Sequence, residues 1–421
     1  MRVATNQFYQ TSISNILQNQ SDVNDTQSHM ASGYAVESAG DDSVAANSIY
    51  NFEQELRVIE QYKSNVTYAN ARLKAEESTM YSLEDILNRI KELTLSANNG
   101  AMGADEREAV AQELEEKLEE MMSLANTKDE AGNYIFGGYK TEDMPFTIQN
   151  DGTVSYWGDE GERELTLGAG VIIKTNDSGS DVFMQIQNSV GGYRPSYEGT
   201  NTAGNPVTNT GTAYVETAKI IDPANYDSIG VPQPYKVEFV DLDGDSVMEY
   251  QVFDANGNQQ MPATAGTSAV YEPNEPIIFN GVEIQISGKP AVGDVITLEE
   301  QETQSVFVAV KNAIDWMRQD RTTDEQKNLL SVEMGHIISD LDESIKHVSA
   351  VHANVGSRLQ IAQSQSSINT EYKLTIDTAL VNLRDLDYAK ASIDLSQQMV
   401  ALEASQQAFV KVQSLTLFNL I

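Results

Sequence analysis

The chain has 421 residues, 63 of them acidic and 27 basic, which gives a formal net charge of −36. Such a chain repels nucleic acid and anionic membranes, whose affinity for proteins comes from clustered lysine and arginine. The absence of cysteine excludes disulfides, thiolate metal sites and cysteine nucleophiles.

The first ten residues lack the apolar stretch of a cleaved signal peptide. No apolar run in the chain reaches the roughly 18 residues of a membrane span. We therefore expect no membrane insertion, and the acidic composition predicts no nucleic-acid partner.

Proline divides the chain, because all ten prolines lie between Pro145 and Pro290. Proline inside a helix costs about 3 kcal/mol, so the two proline-free flanks are predicted to be helical. We predict a mainly α protein with a β insert: a long antiparallel helical bundle or coiled coil from both chain ends, with a central β-rich domain. The predicted regions are a terminal helical assembly domain (1–42 plus 376–421), a central helical bundle (43–141 plus 303–375) and a β-rich outer insert (142–302).

The two extreme segments carry little charge, with a net of −2 in residues 1–40 and again −2 in residues 376–421. Each has an apolar stripe at helical spacing, and a lone helix with such a stripe is marginal in water. The stripes therefore need each other, a neighbouring subunit, or both. We predict an assembly interface at Tyr9, Ile13, Ile16, Val23, Leu395, Met399, Leu402 and Phe409.

Apolar residues recur at every seventh position from Phe52 to Leu87, and again from Met334 to Ala362. A seven-residue repeat keeps one apolar seam on a supercoiled helix. The companion positions are less regular, which favours a packed helix bundle over an ideal two-stranded zipper.

The insert shows three hairpin signals, in which alternating segments flank Asp151–Gly152, Asp243–Gly244 and Asn280–Gly281. Residues 187–230 are rich in Gly, Asn, Thr and Pro. We expect long surface loops there, with little regular structure.

Two segments carry a family resemblance. Residues 31–46 read Ala-Ser-Gly-Tyr-Ala-Val-Glu-Ser-Ala-Gly-Asp-Asp-Ser-Val-Ala-Ala and resemble the N-terminal signature of flagellin-like proteins, with Tyr34 and Ala35 in place of the family's usual basic pair. Residues 386–405 resemble the matching C-terminal helix. Four further stretches resemble hook-associated junction members of that family: 132–141, 156–183, 279–294 and 414–421.

The resemblance implies a structural subunit at the hook–filament junction of the extracellular bacterial flagellum. It implies export by the flagellar type III apparatus with a cytoplasmic chaperone. It also implies assembly as a ring of identical subunits between flagellin and a hook-associated junction partner. One alternative is a filament flagellin. The alternative of another class is a secreted binding protein or adhesin that uses the β insert.

One acidic loop resembles the first half of a calcium-binding EF-hand, with Asp241, Asp243 and Asp245 at the right spacing. The loop has Ser246 where the sharp turn requires glycine and Val252 where the bidentate glutamate belongs. A hairpin turn is therefore the prediction, with a weak cation site as the alternative. The sequence has no His-Glu-x-x-His, phosphate loop or nucleophile elbow. We expect no catalytic residue, cofactor or resident metal, and no enzyme activity.

Overall fold

A computed structural model of the chain describes residues 2–98, 102–149, 152–201, 204, 206–230, 233–319 and 324–418. These residues form eight helices and seventeen strands. The helices are α1 (Arg2–Ser32), α2 (Ser43–Ala97), α3 (Ala104–Ala125), α4 (Gly179–Phe183), α5 (Pro223–Ile229), α6 (Val306–Arg318), α7 (Asp324–Arg384) and α8 (Tyr388–Phe418). The strands are β1 (Phe146–Ile148), β2 (Val154–Tyr156), β3 (Glu164–Gly168), β4 (Val171–Lys174), β5 (Ile186–Gln187), β6 (Tyr193–Ser196), β7 (Glu198–Thr200), β8 (Pro206–Thr208), β9 (Tyr214–Ile220), β10 (Tyr235–Val240), β11 (Glu249–Phe253), β12 (Gln259–Met261), β13 (Ala269–Val270), β14 (Pro276–Phe279), β15 (Val282–Ser287), β16 (Val295–Glu300) and β17 (Thr303–Gln304).

The long helices lie in the two proline-free flanks, and every described strand lies between the end of α3 and the start of α6, so the predicted fold class is confirmed. Every seventh residue of α2 from Ile59 to Leu87 is buried, and so is every seventh residue of α7 from Met334 to Ala362. Phe52, the first residue of the predicted seam, is only half-buried. The seven-residue repeat thus identified the buried faces of both long helices.

The chain divides into two compact units. The first comprises Met1–Thr67, Thr166–Val171 and Ala362–Ile421, and the second Tyr68–Leu165 and Ile172–Ile361. Helices α2 and α7 contribute to both units. This division follows other boundaries than the three regions expected from the sequence, so the three-region organisation stays a prediction.

In the first unit, side-chain amides fix a short backbone segment between α2 and α7. The Asn65 amide donates to the Thr166 carbonyl at 2.8 Å, and the Asn369 amide donates to the Leu167 carbonyl at 2.8 Å. A Cβ at position 168 would overlap the Gln365 amide, so glycine permits this close approach. Both helices are therefore anchored on the same three residues.

The second unit has a helical core to which α2, α3, α6 and α7 contribute buried side chains. Helices α3 and α6 are joined at their exposed edge, where the Arg318 guanidinium pairs with Glu108 at 3.0 Å and with Glu115 at 2.6 Å. Phenylalanines 136, 146, 183 and 307 fill one end of this core, with ring centroids 5.1 to 5.6 Å apart in the contacting pairs. Because residues 146 and 183 belong to β1 and α4, the first part of the insert is part of the helical core.

A separate β core lies in the rest of the insert. Its larger sheet has the strand order β12-β11-β10-β16-β6, with β13 also paired to β11, and its smaller sheet has the order β14-β15-β9. The rings of Tyr235 and Phe279 meet edge to face at 4.9 Å between strands β10 and β14. The three predicted hairpins are confirmed as the antiparallel pairs β1–β2, β10–β11 and β14–β15, although Asp151 itself lies outside the described residues.

The expectation of loops across residues 187–230 is wrong. Strand β9 lies there and pairs antiparallel with β15, with a bulge between Gln285 and Ile286. Its Val215 and Ala218 are buried in the β core. The Gly, Asn and Thr residues around it led to the expectation of loops, although Tyr214, Val215, Thr217 and Ile220 are residue types that favour strands.

We expect the β core to be separable from the helical core. The chain enters the β core after β5 and leaves it before β17, and these two strands pair with each other. Beside them the Asn188 N–H donates to the Glu302 carbonyl at 3.1 Å. Replacing residues 190–300 with a short Gly-Ser link should leave a folded helical unit, measured by helical circular dichroism and cooperative melting.

The matched comparison is a deletion of residues 150–295, which also removes Val182, Phe183 and Ile186 from the helical core. Each large apolar side chain lost from a core costs about 3 kcal/mol. This longer deletion should therefore lose cooperative melting. Equal melting of the two deletions would contradict the two-core description.

Glu76 is a buried acid in the second unit, and only 2% of its surface is exposed. Its Oε1 accepts from the Asp177 N–H at 3.0 Å, and Asp177 in turn pairs with Arg358. Burial, followed by the charge of the Asp177 carboxylate, raises the pKa of Glu76 well above its usual range.

A folded-state pKa above the unfolded value predicts stability that is complete at low pH and is lost as the pH rises through the folded value. Glu76→Gln, which keeps the shape and removes the ionisation, should therefore gain in melting temperature relative to wild type as the pH rises from about 5 to about 9. The exposed Glu119→Gln variant serves as control and should follow wild type at every pH. A constant difference between Glu76→Gln and wild type would show that Glu76 does not ionise in this range.

Candidate functional site

The terminal helices α1 and α8 pack against each other in the first unit. The Tyr9 and Phe409 rings meet edge to face, with centroids 5.8 Å apart. Further along, the Thr26 hydroxyl donates to the Gln398 amide oxygen at 2.8 Å. Residue numbers rise along one helix as they fall along the other, so the pair is antiparallel. We call α1 and α8 together the terminal pair.

The eight residues predicted for assembly occupy three kinds of position in the terminal pair: buried, exposed and half-buried. Val23 is buried at 9% exposure, whereas Ile13 and Met399 are 46% and 54% exposed. The structure brings Tyr9 and Phe409 into contact. The half-buried members are Tyr9, Ile16, Leu395, Leu402 and Phe409.

Large apolar side chains also face outward from the terminal pair. We call them the outer apolar set: Ile13, Leu17, Ile393, Met399, Val400 and Val410, each between 46% and 66% exposed. The two helices contain four acidic and three basic residues between them, so they are almost neutral in a chain of net charge −36. A nearly neutral pair with exposed apolar side chains is suited to contact another protein surface.

The turn between α1 and α2 is organised by the aspartates of the 31–46 motif. Asp41 Oδ2 accepts from the backbone N–H of Glu37 at 3.0 Å and of Ser38 at 2.8 Å. These hydrogen bonds, that from Ser38 first, lower the pKa of Asp41. Asp42 Oδ1 caps α2 by accepting from the N–H groups of Val44 and Ala45 at 2.9 and 3.0 Å.

The turn between α7 and α8 is tied to the first turn through the backbone. The Leu386 N–H donates to the Gly33 carbonyl at 2.9 Å, and the Ala35 N–H donates to the Arg384 carbonyl at 2.7 Å. Gly33 has a φ of +82°, which favours glycine at the end of α1. These hydrogen bonds hold the end of α1 next to the start of α8.

Arg384 supplies a cation at the position where the motif departs from the family pattern. Its guanidinium lies 4.6 Å from the centroid of the Tyr34 ring, within the range of a cation–π interaction. Tyr34 thus occupies one position of the family's basic pair, and the positive charge beside it comes from Arg384 in the turn between α7 and α8.

Asp41 and Asp42 are part of the motif at 31–46, but their structural role was not predicted from the sequence. The role of Asp387 was also not predicted: its Oδ1 caps α8 by accepting from the N–H groups of Ala389 and Lys390 at 3.0 and 3.1 Å. An aspartate directly before a helical pattern is the signal that could have identified both caps.

The acidic loop at 241–245 is the hairpin turn between β10 and β11, as predicted. Asp241 accepts from the backbone N–H groups of Gly244 at 2.8 Å and Ser246 at 3.2 Å. The three carboxylates lie within 4.8 Å of one another and are mainly exposed. Their oxygens organise the turn itself.

The family model described as the bacterial flagellin N-terminal helical region matches residues 3–141, and the one described as the C-terminal helical region matches residues 338–421. Flagellar hook-associated protein 3 of Salmonella typhimurium is 31% identical over 166 residues, which is 39% of this chain and 51% of that protein. The chain thus spans about half the length of this curated relative.

Two solved structures are similar over most of their length. The flagellar junction protein FlgL from Legionella pneumophila has a TM-score of 0.66 at 26% identity, over 80% of this chain and all of that one. FlgL from Xanthomonas campestris has a TM-score of 0.62 at 26% identity, over 78% of this chain and 99% of that one. Among the described residues, no helix has both the length and the apolar composition to cross a membrane.

Two helical flanks that meet at the chain ends, around a β-rich insert, define a flagellin-like subunit. The two matched regions together cover more than half of the residues. The chain belongs to the bacterial flagellin family. Its similarity to hook-associated members agrees with the resemblance seen in the sequence. The stretch at 414–421, which carried part of that resemblance, has side chains that the structure does not describe.

Removing the α2 cap should loosen the first turn of that helix. Asp42→Ala loses two accepted hydrogen bonds, and loss of such a cap costs about 1 kcal/mol. We expect amide exchange in residues 44–48 to be about fivefold faster, measured by hydrogen exchange. Asp42→Asn keeps the accepting oxygen and should exchange like wild type, whereas equal acceleration in both variants would contradict the capping role.

Proposed function

We propose that this chain is a structural subunit that joins the hook and the filament of the bacterial flagellum, and that it assembles through its terminal pair. One observation carries the proposal: α1 and α8 form a nearly neutral pair that leaves large apolar side chains exposed in a strongly acidic chain. The names of the matched relatives, hook-associated protein 3 and junction protein, support the position in the flagellum.

The charge distribution supports assembly through the ends. Chains of net charge −36 repel one another in solution. This repulsion is screened over about 8 Å at physiological salt, so surfaces that bring little charge of their own can approach closely. The terminal pair is such a surface, and its outer apolar set would be covered by neighbouring subunits.

The proposed partners follow from this role. They are other copies of this chain in a ring, flagellin on one side and a hook-associated junction partner on the other. Delivery would use the flagellar type III export apparatus and a cytoplasmic chaperone. The proposed role is structural and uses no cofactor.

Assembly on purified hooks tests the proposal directly. Hooks that lack filaments are incubated first with the purified chain and then with flagellin monomers, and filaments are counted by electron microscopy. Filaments that grow only after the chain has been added support the adaptor role. Long filaments made by the chain alone would instead identify a filament flagellin.

A charge in the outer apolar set should block assembly without unfolding the chain. Met399→Asp places a carboxylate at a position that is 54% exposed in the isolated chain, so the melting temperature should remain near the wild-type value. Once a neighbour covers this position, an unpaired buried charge costs several kcal/mol. We expect filament number to fall at least tenfold in the hook assay.

Gln397→Asp, an exposed polar position on the same helix, is the matched control and should assemble normally. Leu402→Asp affects a half-buried position of the terminal pair and should also prevent incorporation. Normal filament numbers with both Met399→Asp and Leu402→Asp would show that α8 is not an assembly surface.

A further inference from the structure

Two aromatic side chains in the second unit are exposed although their surroundings are well ordered by hydrogen bonds. Tyr139 precedes β1 and is 62% exposed, and Trp157 follows β2 and is 59% exposed. We call them the aromatic patch. Their neighbours Phe146 and Tyr156 contact each other with centroids 5.0 Å apart, and Phe146 is fully buried in the helical core. The local fold therefore buries Phe146, partly buries Tyr156 and leaves Tyr139 and Trp157 in solvent.

Trp157 is held by its edge. Its indole N–H donates to the Thr147 hydroxyl at 2.9 Å, and its backbone N–H donates to the Pro145 carbonyl at 2.8 Å. These hydrogen bonds restrain the indole while more than half of its surface stays exposed. A restrained ring loses little conformational entropy when a partner covers it.

Tyr139 is held in the same manner. Its backbone N–H donates to Asp159 Oδ1 at 2.7 Å, and its hydroxyl donates to the Glu162 carbonyl at 2.7 Å. The ring lies directly on Gly161, where any Cβ would overlap it. Lys140 Nζ donates to the Trp157 carbonyl at 3.4 Å, which links the two parts of the patch.

The surroundings of the patch are strongly acidic. Residues 139–164 contain seven acidic and two basic side chains, about twice the net acidity per residue of the whole chain. A shallow, open cleft of about 490 Å³ is lined by Tyr139, Glu160, Gly161, Glu162 and Glu164. Glu162 pairs with Lys174 at 2.6 Å, whereas Glu160 and Glu164 are exposed. The cleft thus offers an aromatic face beside carboxylates.

We propose that the aromatic patch and its acidic cleft dock a basic segment of a partner protein. A lysine or arginine of that segment would lie on the Tyr139 ring, where the ring face and the Glu160 and Glu164 carboxylates both attract a cation. An apolar side chain of the segment would cover Trp157. A second copy of this chain is a poor source, because it carries 63 acidic residues against 27 basic ones. The proposal does not depend on the role of the terminal pair.

Tryptophan fluorescence gives a direct test, because the chain has two tryptophans and the other, Trp316, is 2% exposed. The full chain is titrated at physiological ionic strength with a tryptophan-free peptide of alternating lysine and leucine. We expect a saturable change in emission and no change with a glutamate–leucine peptide of the same length. A neutral oligosaccharide is the third probe.

The variants separate a docking site from general attraction to an acidic surface. Tyr139→Ala and the double variant Glu160→Gln/Glu164→Gln should each weaken peptide binding at least tenfold, and Tyr139→Phe should bind like wild type. Tyr81→Ala, which removes a 61% exposed tyrosine from α2, is the matched control and should bind normally. Melting temperatures verify that each variant is folded.

Equal peptide binding by Tyr139→Ala and wild type would overturn the proposal, because it would show adventitious attraction. Saturable binding of the oligosaccharide without binding of the basic peptide would also overturn it, and would assign the patch to glycans. The hook assay is independent of these results, so failure here leaves the adaptor role untouched.

Discussion

A repeating apolar side chain at every seventh position of two long helices is the constraint on which the rest of the protein depends. On α2 and α7 these positions are buried over several heptads. In the second unit, one core with α3 and α6 includes Met80, Leu87, Met334, Leu341 and Val348. Burial of each large apolar side chain stabilises a fold by about 2 kcal/mol. The repeated burial therefore stabilises the packing of two chain segments that are far apart in sequence, and the residues between these segments form the insert.

The helices at the chain ends are held by hydrogen bonds as well as by apolar contacts. Their helices leave from two turns joined by backbone hydrogen bonds at Gly33 and Ala35, and aspartates cap α2 and α8 on either side. The terminal pair is nearly uncharged, and its seam combines one aromatic contact with polar hydrogen bonds. Such a seam is adequate to pair two helices, and the apolar side chains left outside it make the pair suited to contact further subunits.

The insert contributes side chains to two separate hydrophobic cores. Its first part supplies Phe146, Val182 and Phe183 to the helical core, whereas strands β6 and β9 to β16 build a core of their own. The aromatic patch, Tyr139 and Trp157, belongs to neither core and stays exposed. This uncovered but hydrogen-bonded surface is the basis of the proposed docking site.

The sequence by itself determined the fold class, the seams of α2 and α7, the three hairpins and the family, because each rests on a local period, a turn dipeptide or a motif. It did not reveal strand β9, because the strand lies in a segment rich in Gly, Asn, Thr and Pro and its partner β15 lies far along the chain. It also could not separate the exposed Met399 from the half-buried Leu402 on one predicted face. Nor could it bring Arg384 onto Tyr34. Those outcomes depend on contacts between residues far apart in the chain, which only the tertiary structure decided.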